Sequence, residues 1–253
     1  MRVSFIGVLA GLAFFAAPVA HAQLLTSFEE FNAGTEVILQ EPGFSGSTSA
    51  NVSVARANSS AVSEEMAFSG AKSLKVDFDW TDNAPTRWAR LTTNNTPNLP
   101  NPTIDFTTTL SMRLYIASAD PLGVALGVRE TNATADIGAN GGAAGGIEFL
   151  GMAAGLPSRV LAPGVWHDLV FDLPNETVTA FAGATANGIL ESTTGKGVLE
   201  HLRIQNAGQG TAVTFYLDDI RVGPGGDAIP EPGSMALLAS GLLPLLAFRR
   251  RNR

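Results

Sequence analysis

Ser73-Leu-Lys-Val-Asp-Phe-Asp-Trp80 is the clearest structural signal in this sequence, because its residues alternate strictly between apolar and polar. Leu74, Val76, Phe78 and Trp80 share one side of an extended chain, and the charged residues between them share the other. An alternation with a period of two is typical of a β-strand that is buried on one face. The stretch therefore predicts a half-buried strand with Trp80 in the core.

The same alternation recurs along the chain. Further predicted strands cover residues 110–116, 124–128, 169–173, 202–204 and 213–217, and turn-forming residues such as the glycine-rich segment 138–146 separate the runs. No run has a sustained helical period. Many short antiparallel strands with one apolar face must cover those faces against each other. The sequence thus predicts an all-β fold, an antiparallel two-sheet β-sandwich.

The last predicted strand contains an irregularity. Its apolar residues change from one side of the strand to the other between Leu217 and Ile220, across Asp218 and Asp219. This change indicates a β-bulge. Together with Ser27-Phe28-Glu29-Glu30 near the start, this ending resembles the jelly-roll sandwiches of carbohydrate-binding modules. The resemblance implies that the first and last strands lie side by side. It also implies a structural Ca²⁺ between them, for which the candidate ligands are Glu29, Glu30, Asp218 and Asp219.

The C-terminal residues have three elements in a fixed order. Pro230-Glu231-Pro232 is followed by an apolar stretch, 235–248, and then by Arg249, Arg250 and Arg251. The stretch has 14 residues, fewer than the about 20 of a spanning helix. The pattern resembles the PEP-CTERM sorting signal of Gram-negative bacteria. That resemblance implies a short hydrophobic helix, transient insertion into the inner membrane, recognition by an exosortase, and delivery to the outer surface or extracellular matrix.

The N-terminal residues have the pattern of a secretory signal peptide. Arg2 precedes an apolar run, 3–19, and Ala20-His21-Ala22 fits an Ala-x-Ala cleavage site before Gln23. The pattern predicts a signal helix, with the Sec machinery and signal peptidase as partners. The expected organisation is a signal peptide at 1–22, a β-sandwich domain at 23–223 and a sorting signal at 224–253.

Charge and composition narrow the classes of function. The segment 23–223 has 11 basic and 21 acidic side chains, so its net charge is −10. Nucleic-acid binding needs a basic footprint, so a nucleic-acid partner is not expected. The chain has no cysteine, which excludes disulfides, thiol catalysis and cysteine metal sites.

Candidate ligand-binding residues are aromatic or cationic. Sugars bind to apolar, largely aromatic platforms that carry a few well-placed polar groups. Trp88, Tyr115 and Trp166 are the candidate platforms, and Arg129 ends a predicted strand before the glycine-rich loop. A role in core or rim packing stays open for each of them. His201 is expected to be a surface or rim residue.

Catalytic motifs are weak in this sequence. Glu148 and Asp168 are the candidates for the paired carboxylates of glycoside hydrolysis, but nothing in their spacing requires that role. We therefore expect no enzymatic activity. The preferred hypothesis is an exported surface or matrix protein whose sandwich binds polysaccharide. Proteins with the PEP-CTERM signal often accompany exopolysaccharide production, which supports this hypothesis by association. The alternatives are a purely structural matrix or adhesion protein and a glycan-active enzyme.

Overall fold

The computed structural model describes residues 22–53, 59–85, 87–93 and 101–223. The strands are β1 (Gln23–Thr26), β2 (Val52–Ser53), β3 (Ser60–Ser63), β4 (Ser73–Trp80), β5 (Trp88–Thr92), β6 (Thr103–Asp105), β7 (Thr109–Ile116), β8 (Leu122–Arg129), β9 (Ile147–Leu150), β10 (Met152–Ala153), β11 (Leu156–Pro157), β12 (Arg159–Leu161), β13 (Trp166–Asp172), β14 (Val178–Ala182), β15 (Lys196–Asn206) and β16 (Ala212–Gly223). Ser49–Asn51 and Leu173–Asn175 form short 3-10 helices.

The first sheet is built around β16. Its strand order is β13-β7-β16-β4-β2, with β1 also paired to β16 and β3 also paired to β4. All of these pairings are antiparallel. The first and last strands therefore lie side by side, as the resemblance to jelly-roll sandwiches implied.

The second sheet is built around β8 and β15. Its strand order is β14-β9-β8-β15-β5, with β12 also paired to β8 and β6 also paired to β15. These pairings are antiparallel as well. A separate hairpin of β10 and β11 lies next to β8.

A single large apolar cluster fills the space between the two sheets. In β4 the four apolar residues predicted to face inward are all buried in this cluster, and the polar residues Lys75, Asp77 and Asp79 are only partly buried. Phe215 and Leu217 enter the same cluster from β16, and Leu202 and Ile204 enter it from β15. The prediction of an antiparallel two-sheet β-sandwich, jelly-roll-like in form, is confirmed.

The predicted bulge in the last strand is also present. Asp218 is opposite Arg113 on β7 and Arg221 is opposite Ser111, so Asp219 and Ile220 together face one residue. Asp219 adopts a left-handed backbone with φ of +48°. This extra residue explains the parity shift that was visible in the sequence.

The proposed signals at the two ends fall almost wholly outside the described residues. The signal helix and cleavage site, apart from Ala22 and Gln23, belong to the segment that is not described, as do the sorting motif, the hydrophobic helix and the basic tail. Among the residues that are described, no helix has the length and apolar character needed to cross a bilayer.

Candidate functional site

The outer face of the second sheet gathers aromatic and cationic side chains. Ala89 and Leu91 of β5 point into the core, so Trp88, Arg90 and Thr92 point outward. By the same alternation, outward residues on the other strands join them. We call the following set the arginine–aromatic face: Trp88 and Arg90 on β5, Phe149 on β9, Phe181 on β14, and His201 and Arg203 on β15.

A bulge in β15 brings His201 onto this face. Leu199 pairs with Val128 and His201 pairs with Gly127, so Glu200 is the extra residue. At that point the alternation of inward and outward side chains shifts by one residue. Glu200 and His201 therefore both lie outside the apolar core, whereas Leu199 and Leu202 on either side of them lie within it. His201 is 1% exposed, which corrects the expectation of a surface or rim histidine.

Small residues on β8 make room for the large ones. Gly123, Ala125 and Gly127 are the outward residues of this central strand, and they pair with Gln205, Arg203 and His201 on β15. A Cβ atom at Gly127 would lie 2.8 Å from the Cβ atom of His201, closer than such atoms approach. Glycine is therefore required at position 127 for His201 to lie flat against the sheet.

The guanidinium groups stack on the aromatic rings. The Cζ atom of Arg203 lies 4.3 Å from the ring centroid of Trp88 and 5.3 Å from that of Phe149. The Cζ atom of Arg90 lies 5.1 Å from the centroid of Phe181. The rings of Phe149 and Phe181 are themselves 4.4 Å apart. Cation–π attraction of this kind is worth about 0.5–2 kcal/mol per pair and holds the face together.

Hydrogen bonds fix the orientation of these cations. Arg90 donates from Nε to the Oγ atom of Ser45 at 2.6 Å and from Nη1 to the Nε2 atom of His201 at 3.3 Å. Because a guanidinium only donates, Nε2 of His201 accepts and its Nδ1 atom carries the hydrogen. Arg203 donates from Nη2 to the carbonyl of Gly155 at 3.2 Å. The loop around Ser45 and the β10–β11 hairpin thus flank the face.

Polar atoms without a hydrogen-bond partner concentrate on this face. Within the described part of the chain, ten buried side-chain nitrogen or oxygen atoms lack a partner, and five of them are on this face or directly beside it. These are Thr92 Oγ1, Arg129 Nε, Glu200 Oε2, His201 Nδ1 and Arg203 Nε. Buried polar groups are nearly always hydrogen-bonded to protein or to ordered water, so these five atoms are the places where water or a ligand group would complete the hydrogen bonding.

Burial perturbs the titration of the groups on the face. Burial, followed by the nearby positive charges of Arg90 and Arg129, lowers the pKa of His201 to about 2. Burial also lowers the pKa of Arg203 to about 10. His201 is therefore neutral across the physiological range, while the arginines remain charged.

The four predicted ligand-binding residues divide between the two outer faces. Trp88 is a member of the arginine–aromatic face, and Arg129 lies beside it, where its Nη2 atom donates to Glu200 Oε1 at 2.7 Å. Tyr115 and Trp166 lie together on the outer face of the first sheet, with ring centroids 5.5 Å apart. Their role in ligand binding stays a prediction.

Tyr115 and Trp166 form an aromatic patch with Phe68. The ring centroids of Phe68 and Trp166 are 5.6 Å apart, and Phe68 is 44% exposed. Arg113 lies over the ring of Phe68 at 4.4 Å and forms an ion pair with Asp168 at 3.3 Å. The guanidinium group beside this patch therefore already has partners within the protein.

The four predicted calcium ligands all take part in hydrogen bonds. Asp218 is fully buried and accepts from the backbone N–H groups of Phe68, Ser69 and Asp219. Glu29 accepts from the N–H groups of Ala71 and Lys72. Asp219 pairs with Arg221, and Glu30 accepts from Thr26. Asp218 of β16 and Glu29 of the turn after β1 thus both hold the loop at residues 68–72.

No group of three or more histidine and acidic side chains in the described ranges is arranged to hold a metal ion. The calcium site stays a prediction, with the oxygen atoms of Asp218, Asp219, Glu29 and Glu30 as its candidate ligands.

The two candidate catalytic carboxylates belong to different sheets. Glu148 is on β9 of the second sheet and is fully buried, where its Oε1 atom accepts from the N–H groups of Asn187 and Gly188. Asp168 is on β13 of the first sheet, paired with Arg113. The fold does not bring these two residues together.

A pocket of about 430 Å³ lies at one end of the second sheet. It is lined by Glu130, Asn132, Gly145, Thr185, Glu191, Ser192 and Thr193. Burial raises the pKa of Glu130, and its carboxylate accepts from the N–H group of Glu191 at 2.9 Å. The carboxylate therefore has an internal role in fixing the loop that contains Glu191.

The sequence matches no protein-family model and no curated protein. Among solved structures, a family 11 carbohydrate-binding module of a cellulosomal cellulase of Clostridium thermocellum is similar over 81% of this chain and 96% of the module, with 11% identity and a TM-score of 0.43. A family 30 carbohydrate-binding module is similar over 78% of this chain and 89% of its own length, with 9% identity and a TM-score of 0.41.

A family 22 xylan-binding domain of Paenibacillus barcinonensis is similar over 79% of this chain and 93% of that domain. Its identity with this chain is 13%, with a TM-score of 0.34. All three of these solved structures are carbohydrate-binding modules.

Proposed function

We propose that this chain is an exported, non-catalytic polysaccharide-binding protein and that it binds its ligand on the arginine–aromatic face. The observation that carries the proposal is the concentration of unpartnered buried polar atoms among aromatic rings on one face of the sandwich. A sugar ring has an apolar C–H face and a rim of hydroxyl groups, so it needs both kinds of surface at once.

The chemistry of the unpartnered atoms matches a hydroxyl-rich ligand. Arg129 Nε, Arg203 Nε and His201 Nδ1 are donors, and Glu200 Oε2 is an acceptor. The hydroxyl of Thr92 does both. Since each sugar hydroxyl donates one hydrogen bond and accepts others, a mixture of donors and acceptors favours a glycan over a purely donating or purely accepting ligand.

The aromatic patch on the opposite sheet is a weaker candidate. Its rings are accessible, but Arg113 is paired with Asp168, and the hydroxyl of Tyr216 donates to Glu65 at 2.9 Å. A ligand on the patch would compete with these internal partners. The arginine–aromatic face combines the partly exposed Trp88, Arg90 and Phe181 with nearby polar atoms that have no internal partner, and we therefore assign the glycan to it.

Replacing Trp88 by Ala is expected to weaken polysaccharide binding at least about tenfold, because it removes a ring that both contacts the ligand and supports Arg203. Affinity electrophoresis against a panel of soluble polysaccharides measures the effect. Trp166→Ala is the matched control, since it removes the same side chain from the opposite face. Loss of binding in Trp166→Ala with binding retained in Trp88→Ala would assign the ligand to the aromatic patch.

Export and sorting are the second part of the proposal. The order of Pro230-Glu231-Pro232, the apolar stretch and the terminal arginines supports recognition by an exosortase. Deleting 230–253 is expected to release the protein into the periplasm or medium in soluble form, as judged by fractionation and immunoblotting. The control replaces Arg113 on the folded body and should leave sorting unchanged. Retention of the deletion variant at the membrane contradicts the proposed role of the tail.

A further inference from the structure

Positive charge is unevenly placed on this acidic protein. The segment 23–223 has a net charge of −10, yet Arg90, Arg129 and Arg203 all reach the outer face of the second sheet. Glu200 is the carboxylate that accompanies them, through its contact with Arg129. The face is therefore a local positive region on a negative body.

Two of these arginines have neutral partners. Arg90 donates to the hydroxyl of Ser45 and to His201, and Arg203 donates to the carbonyl of Gly155 and the amide oxygen of Gln205. Among the seven arginines of the described residues, the other five form ion pairs with carboxylates. The internal segments that are not described, 54–58, 86 and 94–100, contain no aspartate or glutamate.

Arg90 and Arg203 are direct neighbours across the strands. They are register partners in the antiparallel pairing of β5 with β15. Like charges directly opposite each other in a sheet are destabilising. Burial adds to this cost, since it lowers the pKa of both side chains. The charge of Glu200 favours the protonated form of Arg90, but Glu200 forms its ion pair with Arg129, so neither Arg90 nor Arg203 has a carboxylate of its own.

An anion placed between the two guanidinium groups removes both costs. Guanidinium groups bind carboxylates through paired N–H donors, and such charge-assisted hydrogen bonds are roughly twice as strong as neutral ones. A neutral sugar offers hydroxyl acceptors but no charge. The partly exposed rings of Trp88 and Phe181, which pack on the buried Phe149, then provide the apolar contact for the sugar ring that carries the anion.

We infer that the ligand of the arginine–aromatic face is an anionic polysaccharide, with a uronate carboxylate held between Arg90 and Arg203. This inference rests on the proposed function, since it names the class of glycan for the same face. It predicts a preference for acidic over neutral glycans of the same backbone.

The experiment compares each acidic polysaccharide with its own neutral ester. Polygalacturonate and alginate are titrated against the full protein by calorimetry, followed by the esterified form of each and a neutral mixed-linkage glucan. We expect the acidic forms to bind at least about tenfold more tightly, which corresponds to about 1.4 kcal/mol. We also expect that preference to weaken as salt is raised, because salt screens charge interactions at partly exposed sites.

Three variants identify the groups responsible. Arg90→Gln should abolish the preference for the acidic form, and Arg90→Lys should keep part of it because the charge remains. Arg113→Gln on the opposite sheet is the control and should bind like the original protein. A thermal melt of each variant establishes that it is folded, and the Arg90→Lys result keeps the test decisive if Arg90→Gln does not fold.

The outcomes separate the inference from the proposed function. Equal binding of the acidic and esterified forms overturns the anionic specificity and leaves polysaccharide binding standing. No binding of any polysaccharide overturns both. Equal binding of a single-stranded DNA oligonucleotide, with no dependence on the sugar, also overturns the inference, because it reduces the face to a non-specific site for polyanions.

Discussion

Replacing Asp218 by Ala is expected to lower the free energy of unfolding by about 3 kcal/mol, because several backbone donors lose their acceptor together. The carboxylate of Asp218 accepts from the N–H groups of Phe68, Ser69 and Asp219 at 2.8, 3.0 and 2.7 Å. The side chain is fully buried, so little water replaces it. Urea unfolding at neutral pH, with a constant denaturant slope, measures the change.

Asp168→Ala is the matched control for this prediction. Asp168 is 41% exposed and has one ion pair, with Arg113, which is worth less than about 1 kcal/mol at such a site. If Asp218→Ala costs no more than Asp168→Ala, the buried network does not stabilise the loop at residues 68–72 as argued. Repeating the melts with calcium and with a chelator tests the calcium proposal, since removal of Asp218 and Asp219 should abolish any calcium-dependent rise in Tm.

The second large effect is a loss of stability in acid that originates at His201. Its folded pKa of about 2 lies far below the ordinary value of 6.5, because of burial and the charges of Arg90 and Arg129. Below about pH 6.5 the imidazole of His201 is therefore protonated in the unfolded chain but stays neutral in the folded protein. The stabilising contribution of His201 is complete above that pH and decreases as the pH falls, by about 1.4 kcal/mol for each pH unit.

Between about pH 6.5 and pH 5 the free energy of unfolding in urea should fall by about 2 kcal/mol more in the original protein than in His201→Gln. The comparison is needed because burial raises the pKa of Asp218 to about 6, so Asp218 contributes in the opposite direction in both proteins. His167→Gln is the control, because it makes the same change on the first sheet, where the ring contacts the carbonyl of Ala162. Comparing the two variants isolates His201 from the other groups that titrate in this range. An identical pH dependence in His201→Gln and His167→Gln would falsify the assignment.

The sandwich could be predicted because the alternation of apolar and polar residues in its long strands shows which side of each strand is buried. In β4 the alternation of Leu74, Val76, Phe78 and Trp80 specifies both the strand and the buried face. The bulge at Asp218 and Asp219 was predictable for the same reason, since an extra residue shifts the apolar parity. Short strands such as β5, with only Ala89 and Leu91 facing inward, give too little periodicity to be recognised.

The site was predicted only in part, because its assembly depends on pairing between distant strands. Parity indicates which side of a strand a residue occupies, but not which sheet the strand joins. Trp88 and Trp166 were therefore grouped as equal candidates although they lie on opposite outer faces. The burial of His201 depends on the bulge at Glu200 and on Gly127 of the neighbouring strand. Neither the bulge nor the pairing with Gly127 could be predicted from the residues next to His201 in the sequence.

The sequence contained only a weak indication that Arg90 and Arg203 belong to the site. Each alternates with core residues of its own strand, so an outward position followed from parity once the strands were known. Their proximity did not, since 112 residues separate them in the chain and only the antiparallel register of β5 and β15 makes them neighbours. The functional proposal rests on that register.

The three tryptophans of the chain allow the most direct test of the central claim, that a polysaccharide binds on the arginine–aromatic face. Trp80 is in the core, Trp88 is on the proposed site, and Trp166 is on the opposite sheet. Their indole N–H signals can be followed by NMR during a titration with polygalacturonate oligosaccharides. We expect the Trp88 signal to shift in a saturable manner while the Trp80 and Trp166 signals stay in place. Movement of the Trp166 signal alone, or of none of the three, would contradict the account.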